Sequence, residues 1–192
     1  MTEKEKARQG LLYDANYDPA LALEREQCQS LLFQYNQLSP QQSSEKKQIL
    51  QKLLGKTGKN FIFTPPFFCD YGYNIEIGEN FYANTNLVIL DAAKVRVGDN
   101  VFIAPHVGIY TAGHPLDIGQ RNAGLEYARP ITIGNNVWIG GHVVLLPGVS
   151  IGDNTTIGAG SVVTKNIPAN VLAVGNPCRV IRPVSVSYTH LT

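Results

Sequence analysis

Aliphatic residues recur every six positions through much of the second half of the chain. One register contains Ile133, Ile139, Leu145, Ile151, Ile157 and Val163, and another, two positions earlier, contains Ile131, Val137, Val143 and Val149 before it continues as Thr155 and Ser161. This period does not fit an α-helix. It is typical of a parallel β-helix, in which each six-residue unit forms one face of a triangular coil. The pattern therefore predicts a mainly β fold of stacked coils with three six-residue faces each, rather than a β-sandwich with glycine-rich turns.

Glycine follows the aliphatic position in many of these units. The residues concerned are Gly78, Gly98, Gly134, Gly140, Gly152 and Gly158. Because glycine adopts backbone conformations that other residues avoid, we expect these positions to make the sharp turns between faces.

The repeat is interrupted once, by the polar stretch between Ile109 and Ile131. The step from Ile109 to Ile133 is a whole multiple of six, so the phase of the repeat is unchanged. A segment of this length within a compact repeat domain is usually functional. We therefore predict an irregular loop over 110–130 that is extruded from the coil and carries His114.

The N-terminal part of the chain has a different pattern of apolar and polar residues. Apolar residues lie at helical spacing among Glu, Gln and Arg, Asp18-Pro19 marks a helix start, and Ser39-Pro40 marks a turn between two helices. We therefore predict a small helical cap domain over 1–58 and a β-helix domain over 59–182. The remaining residues, 183–192, do not match the repeat and are expected to be a disordered or artefactual tail.

The composition limits the classes of binding partner and the cellular compartment that we expect. The 16 basic and 15 acidic residues nearly cancel, which gives no electrostatic reason to expect nucleic acid. No apolar run approaches the roughly 20 residues of a membrane span, and the charged N-terminus lacks the apolar region of a signal peptide. The 3 cysteines are widely separated and form no CxxC pair. These features predict a cytoplasmic protein with reduced thiols and without a zinc site.

Several motifs together resemble one known family, the maltose and galactoside O-acetyltransferases. They include FYANTN (81–86), TAGHPLD (111–117), PITIGNNVWIGGHVVLLPGVSIGDN (130–154) and GAGSVVTKNIPANVLAVGNPCRVIR (158–182), and GLLYDANYDPAL resembles the family's helical cap. The likeness covers roughly residues 3–182. It implies a left-handed parallel β-helix, a homotrimer, and transfer of an acetyl group from acetyl-CoA to a hydroxyl of a sugar. The left hand follows only from the resemblance, since general crossover rules favour the right hand.

The resemblance also implies where the acceptor is bound and activated. His114, in a Gly-His-Pro setting, matches the catalytic histidine, and Asn84 matches an asparagine near the reacting centre that binds substrate or the oxyanion. Asp70 and Asp91 match or nearly match positions that line the acceptor pocket, although some relatives have Ser at the first and a second Asp where Ala92 stands. Tyr82 and Tyr13 are candidates to stack on a sugar ring, and Tyr13 is equally a candidate for packing within the cap.

A second group of residues matches family positions around coenzyme A. Lys165, Arg179 and Arg182 are candidates for pairing with its phosphates, with ordinary surface charge as the alternative. Gly141, Ala159 and Thr164 match contacts along the pantetheine arm, and the N–H of Gly141 is also an oxyanion donor candidate. Trp138 is a candidate to pack on the arm or in a subunit contact. No metal is expected.

Other functions remain open from the sequence. The acceptor could be an antibiotic or serine in place of a sugar. A carbonic anhydrase on the same type of β-helix would need three zinc-binding histidines, and a structural β-helix would have no working site. The loop histidine and the basic residues near the C-terminal coils favour an acetyltransferase.

Overall fold

The computed structural model describes residues 1–184. The predicted tail therefore lies almost wholly outside the described residues, as does His190.

The helices are α1 (Glu3–Arg8), α2 (Pro19–Gln37), α3 (Ser43–Leu53) and α4 (Ile118–Asn122). The strands are β1 (Tyr13–Asp14), β2 (Phe61–Phe63), β3 (Phe67–Cys69), β4 (Ile75–Ile77), β5 (Phe81–Ala83), β6 (Leu87–Leu90), β7 (Val95–Val97), β8 (Phe102–Ile103), β9 (Gly108–Tyr110), β10 (Ala112–Gly113), β11 (Leu125–Ala128), β12 (Ile131–Ile133), β13 (Trp138–Ile139), β14 (Val144–Leu145), β15 (Ser150–Ile151), β16 (Thr156–Ile157), β17 (Val162–Val163), β18 (Val171–Val174) and β19 (Arg179–Pro183).

Three stacked sheets form the faces of a parallel β-helix, as the six-residue period predicts. Sheet I contains β4, β7, β12 and β15, and sheet III contains β3, β6, β9, β14 and β17. Sheet II contains β2, β5, β8, β13, β16 and β18, and β19 closes its last edge in antiparallel register. The chain visits sheets II, III and I in turn, so each strand pairs with its counterpart one coil away.

The predicted inward positions form the core. Ile139 pairs with Ile157 across adjacent coils, and both side chains are fully buried. The second register is buried too, including its polar members. Thr155 donates a hydrogen bond to the carbonyl of Pro168 at 2.9 Å, and Ser161 accepts one from the N–H of Gly175 at 3.0 Å. These bonds compensate the cost of burying the two hydroxyls.

The glycines of the repeat have a different role from the one expected. None of the six has a positive φ; at the corners that conformation is adopted mainly by asparagines and by His106 and His142. A Cβ on Gly98 would lie 2.8 Å from the carbonyl carbon of Gly134 in the next coil, and one on Gly140 would lie 2.9 Å from Cα of Ala159. Glycine is required there because successive coils approach closely.

Asparagines stabilise one corner of the coil. Between sheets I and II, Asn80, Asn100, Asn136, Asn154 and Asn170 all have positive φ. Each of the first four donates its side-chain N–H to the side-chain oxygen of the next, at 2.9 to 3.2 Å. Asparagine tolerates this conformation better than most residues. The stacked asparagines therefore form the turn of each coil and also hydrogen-bond one coil to the next.

The first coils are longer than the predicted three units of six. Ile133 pairs with Ile151, three units further along the chain, whereas Ile77 pairs with Val97, two positions beyond that spacing. The extra residues follow β3 and β6, where the chain passes from sheet III to sheet I. The extruded segment also begins after a sheet III strand, β9, and ends at a sheet I strand, β12. All departures from the six-residue unit therefore accumulate at one corner.

The extruded segment is ordered rather than irregular, contrary to expectation. It contains β10, α4 and β11, and α4 is capped at its N-terminus by Asp117, whose side chain accepts the N–H of Gln120. Strand β11 pairs with β10 on one side and with β1 of the N-terminal region on the other. Strand β11 thus pairs within the segment on one side and joins the segment to the cap on the other.

The cap packs on the first coils mainly through α2. This helix begins as predicted, with Asp18 accepting the N–H of Leu21 and with Pro19 at its first position. Tyr35 is fully buried and donates its hydroxyl to the carbonyl of Phe63 at 2.6 Å. Cys28 on α2 lies 3.6 Å from Cys69 on β3, sulfur to sulfur, and both are free thiols.

The outward faces of the three sheets differ in polarity. Sheet II presents a stripe of large apolar side chains on successive coils, and Ile62, Phe102 and Trp138 are each more than half exposed. Sheet III presents Phe68, Val88 and Val144. Sheet I presents Glu76, Arg96, Thr132 and Ser150. Across residues 1–184, none of the helices combines the length and the hydropathy needed to cross a membrane.

Candidate active site

A pocket of about 330 Å³ lies where the longer corner, the extruded segment and the cap meet. Its polar wall is contributed by all three parts, and the lining residues include Tyr13, Asn16, Arg25, Asp70, Tyr71, His114 and Glu126. The corner that departs from the six-residue unit therefore forms the wall of a polar cavity. This is called the loop pocket below.

His114 follows β10 and is half-exposed at the mouth of the loop pocket. Its Nδ1 lies 3.1 Å from the carbonyl oxygen of Leu125. A carbonyl only accepts hydrogen bonds, so Nδ1 carries the proton and Nε2 of the neutral ring has its lone pair free. The ring is thus oriented to accept a proton at Nε2.

Glu126 is a pocket residue that the sequence reasoning missed. Its Oε1 lies 3.7 Å from Nε2 of His114, and its Oε2 accepts a hydrogen bond from the hydroxyl of Tyr13 at 3.1 Å. Tyr13 and Glu126 face each other in the pairing of β1 with β11. Burial raises the pKa of Tyr13, so its hydroxyl remains a donor. The only sequence signal was an acidic residue within the extruded segment.

Two predicted acceptor contacts, Asp70 and Asp91, have different positions. Asp70 lines the loop pocket, and burial together with the charge of Asp91 raises its pKa to about 7. Asp91 is fully buried beneath the wall, where one carboxylate oxygen accepts the N–H groups of Asp70 and Tyr71 at 3.0 and 2.9 Å. Its other oxygen has no hydrogen-bond partner among the described residues. Asp91 therefore orders the wall and does not face the cavity.

The Asp91→Asn variant is expected to gain stability relative to the wild type as pH rises. Burial raises the pKa of Asp91 to about 6, so the folded protein keeps a proton that the unfolded chain releases near pH 4. The contribution of this carboxyl is complete below about pH 4 and is lost as pH rises through 6. Asparagine does not ionise. The free energy of unfolding of Asp91→Asn, measured relative to that of the wild type, should therefore increase by roughly 3 kcal/mol as pH rises. Denaturant unfolding of both proteins at pH 4 and pH 8 measures the change. The same dependence of the free energy of unfolding on pH in the variant and the wild type would contradict it.

A second group of predicted residues lies on sheet II. Tyr82, Asn84, Phe102, Ala104 and Trp138 line a shallow groove of about 410 Å³. The side-chain oxygen of Asn84 accepts the N–H of Thr85 at 2.8 Å, which directs the amide NH₂ group outward, and none of the residues up to 184 accepts from it. This surface is called the sheet II groove below.

The predicted coenzyme residues lie at the last coils but at different corners: Gly141 and Ala159 between sheets II and III, and Thr164 and Lys165 where the chain passes from sheet III to sheet I. Gly141 and Ala159 stack at the first of these corners, and the hydrogen bonds of the described residues leave both N–H groups without an acceptor. Thr164 and Lys165 follow β17 and are exposed, and Arg179 and Arg182 are exposed on β19. The last coils thus offer backbone donors and cationic side chains on different faces.

A single chain does not bring the residues of the loop pocket and those of the sheet II groove together. His114, Asp70 and Tyr13 line the loop pocket, Asn84, Tyr82 and Trp138 line the sheet II groove, and no residue lines both cavities. The other in-fold histidines are elsewhere: His106 and His142 stack at the corner between sheets II and III, with ring centroids 4.8 Å apart. Within the described part of the chain, no three His, Cys, Asp or Glu residues are grouped as a metal site.

Comparison with known proteins agrees with this architecture. The maltose acetyltransferase hexapeptide capping motif matches residues 6–58, and the bacterial transferase hexapeptide repeat matches residues 130–165. A galactoside O-acetyltransferase of Escherichia coli is 46% identical over 96% of this chain and 91% of its own length.

Solved structures extend the likeness to the whole fold. A maltose O-acetyltransferase from Clostridium difficile 630 superposes with a TM-score of 0.94 and 52% identity, covering 96% of this chain and 98% of that one. A galactoside acetyltransferase in complex with coenzyme A superposes with a TM-score of 0.93 and 46% identity, covering 96% and 92%. Identity at this level over nearly the full length shows that the chain is an acetyltransferase that belongs to the galactoside and maltose O-acetyltransferase family of hexapeptide-repeat proteins.

Proposed function

We propose that this protein transfers an acetyl group from acetyl-CoA directly to a hydroxyl of a sugar, with His114 as the general base. The observation that carries the proposal is the imidazole of His114, fixed through Nδ1 to Leu125 with Nε2 free beside a polar pocket. Relatives named for galactoside and maltose acetylation, one of them solved with coenzyme A, support the reaction class.

The chemistry follows from the acidity of the groups involved. A sugar hydroxyl ionises far above neutral pH, so its proton must leave as its oxygen attacks the thioester carbonyl. Nε2 of His114 takes this proton, and the N–H of Gly141 donates to the developing oxyanion. The C–S bond then breaks, and the leaving coenzyme A thiolate receives the proton from the imidazolium. The products are the acetyl ester and the free thiol, with no acetyl-enzyme.

We propose that the protein is a homotrimer in which the loop pocket of one subunit faces the sheet II groove of the next. Two of the three sheets present apolar side chains and the third presents polar ones. Two different buried faces per subunit are what a closed ring with head-to-tail contacts requires. This arrangement supplies Asn84 and Tyr82 to a site that contains His114 from the neighbour, with Asn84 placed to bind the acceptor or the oxyanion.

The coenzyme is proposed to lie between the same two subunits, towards the last coils. Lys165, Arg179 and Arg182 pair with its phosphates, since cationic side chains form strong hydrogen bonds to phosphate oxygens. The pantetheine arm passes the small residues Gly141, Ala159 and Thr164, and Trp138 packs against it. The exposure of all three cationic side chains is consistent with this role.

The polarity of the loop pocket favours a neutral polyhydroxylated acceptor. The carboxyl groups of Asp70 and Glu126 and the hydroxyl of Tyr13 line it, and such groups suit the hydroxyls of a sugar. Free serine offers only a single hydroxyl to these groups. An antibiotic alcohol is the remaining alternative, and an acceptor panel discriminates it.

The test is a panel of acceptors incubated with acetyl-CoA while thiol release is followed. It contains glucose, maltose, a galactoside, serine and chloramphenicol, and the acetylated product is identified by mass spectrometry. We expect turnover with at least one sugar at a rate well above hydrolysis of acetyl-CoA. Turnover with serine or chloramphenicol alone would contradict the sugar assignment and leave the acetyltransferase class unaffected.

A further inference from the structure

The mechanism proposed above leaves the carboxylate of Glu126 unused, although it lies beside the basic nitrogen. Oε1 is 3.7 Å from Nε2 of His114, which is beyond the range of a direct hydrogen bond. The side chain of Glu126 is largely buried, with 19% of its surface exposed. A carboxylate that is removed from water in this way needs hydrogen-bond donors.

Only one of its two oxygens has a donor among the residues that the structure describes. The hydroxyl of Tyr13 donates to Oε2 at 3.1 Å, and Tyr13 is only 2% exposed, within a two-residue strand that pairs with β11. Because Tyr13 holds Oε2 from the cap side, Oε1 is left on the side of His114. The position of Oε1 is therefore set by packing and does not depend on a flexible glutamate.

This position defines what Oε1 can contact in a reactive complex. The attacking oxygen must lie about 2.6–3.2 Å from Nε2, which brings the acceptor molecule within reach of Oε1 as well. The attacking hydroxyl has a single proton, and it is donated to Nε2. A hydrogen bond to Oε1 must therefore come from a different hydroxyl of the same molecule.

We propose that Glu126, held by Tyr13, accepts a hydrogen bond from a second hydroxyl of the acceptor, so that the site selects molecules with two nearby hydroxyls over simple alcohols. This inference rests on the proposed function, because it names the acceptor class at the same site. It makes Glu126 a specificity-determining residue. The competing explanation is structural: the bond from Tyr13 to Glu126 would do no more than hold the extruded segment against the cap.

The experiment compares a sugar with its monodeoxy derivatives in the wild type and in Glu126→Ala. The probes are the best sugar of the panel, as its methyl glycoside, and the series in which each hydroxyl other than the attacked one is replaced by hydrogen. In the wild type, one derivative should lose roughly 10- to 100-fold in kcat/KM, the effect of one hydrogen bond to a charged group. In Glu126→Ala, the parent sugar should lose a similar factor, and that derivative should react as well as the parent.

Controls separate the selective role from a structural one. Glu26→Ala removes the same charge from an exposed position on α2 and should keep the wild-type response to every derivative. The KM for acetyl-CoA should be unchanged in Glu126→Ala. If that variant does not fold, Glu126→Gln replaces it: its amide oxygen accepts a weaker, neutral bond, so the penalty for the derivative should shrink without vanishing.

The outcomes distinguish this inference from the proposed function. An equal loss in Glu126→Ala for the parent and all derivatives would overturn the inference and support the structural explanation, while sugar acetylation by the wild type would stand. An undiminished penalty for the deoxy derivative in the Gln variant would overturn it as well. Failure of the wild type to acetylate any sugar would overturn both.

Discussion

The His114→Ala variant is expected to lower turnover by roughly 10²–10⁴-fold, the usual contribution of a positioned general base. The reason is the single free lone pair at Nε2, which no other group described in the loop pocket replaces at the same place. Acetyl-CoA should bind with wild-type affinity, because none of the residues proposed to hold it lines the loop pocket. Steady-state kinetics and equilibrium binding measure the two effects separately.

A matched histidine variant controls for this result. His106→Asn alters a corner residue with positive φ, and asparagine occupies the corresponding corner at Asn86, so this variant should fold and retain turnover. Near-normal turnover in His114→Ala would remove His114 from the proposed role. Ping-pong kinetics, or an acetylated protein trapped without acceptor, would contradict direct transfer.

The Gly152→Ala variant is expected to lose about 3 kcal/mol of stability, the upper end of the usual cost of overpacking. A Cβ there would lie 2.7 Å from Cα of Ala169 and 2.8 Å from the carbonyl carbon of Pro168 in the next coil. Both contacts are backbone atoms, and relieving them would stretch hydrogen bonds such as that from the N–H of Gly152 to Ile167 at 2.9 Å. The free energy of unfolding at fixed protein concentration measures the loss.

Gly119→Ala is the matched control for that substitution. Gly119 lies in the exposed helix α4, and its nearest neighbour to a new Cβ is a side-chain oxygen of Asp117 at 3.3 Å. Alanine favours a helix over glycine, so this variant should be as stable as the wild type or slightly more. Equal stability of Gly152→Ala and Gly119→Ala would show that close approach of the coils is not why the repeat uses glycine.

The fold could be predicted from the sequence because the residues of its core recur at a fixed spacing along the chain. The side chain of each aliphatic residue in the register, such as Ile139, contacts its counterpart one coil away, so a fixed spacing encodes the packing. The role of the glycines was misread, because it depends on the distance between coils and not on the conformation of one residue. The left hand of the coil came only from resemblance.

The site was less predictable because it forms where the rule is broken. The spacing from Ile89 to Val97 exceeds the six-residue unit by two positions, and this departure was the available signal for the wall that contains Asp91. Glu126 had no such signal: its contact with Tyr13 joins residues 113 positions apart. Asn84 and His114 were singled out through the family resemblance, but nothing in the repeat pattern indicated that they lie in separate cavities of one chain.

In the proposed trimer each acetyl-transfer site is completed by two subunits, and mixing two inactive variants tests this sharing. His114→Ala retains the sheet II groove, and Asn84→Ala retains the loop pocket. In trimers reassembled from equal amounts of the two, random order should place an intact pocket against an intact groove at about one quarter of the sites. We expect sugar acetylation to recover towards one quarter of the wild-type rate. A mixture no more active than the two variants measured separately would contradict it.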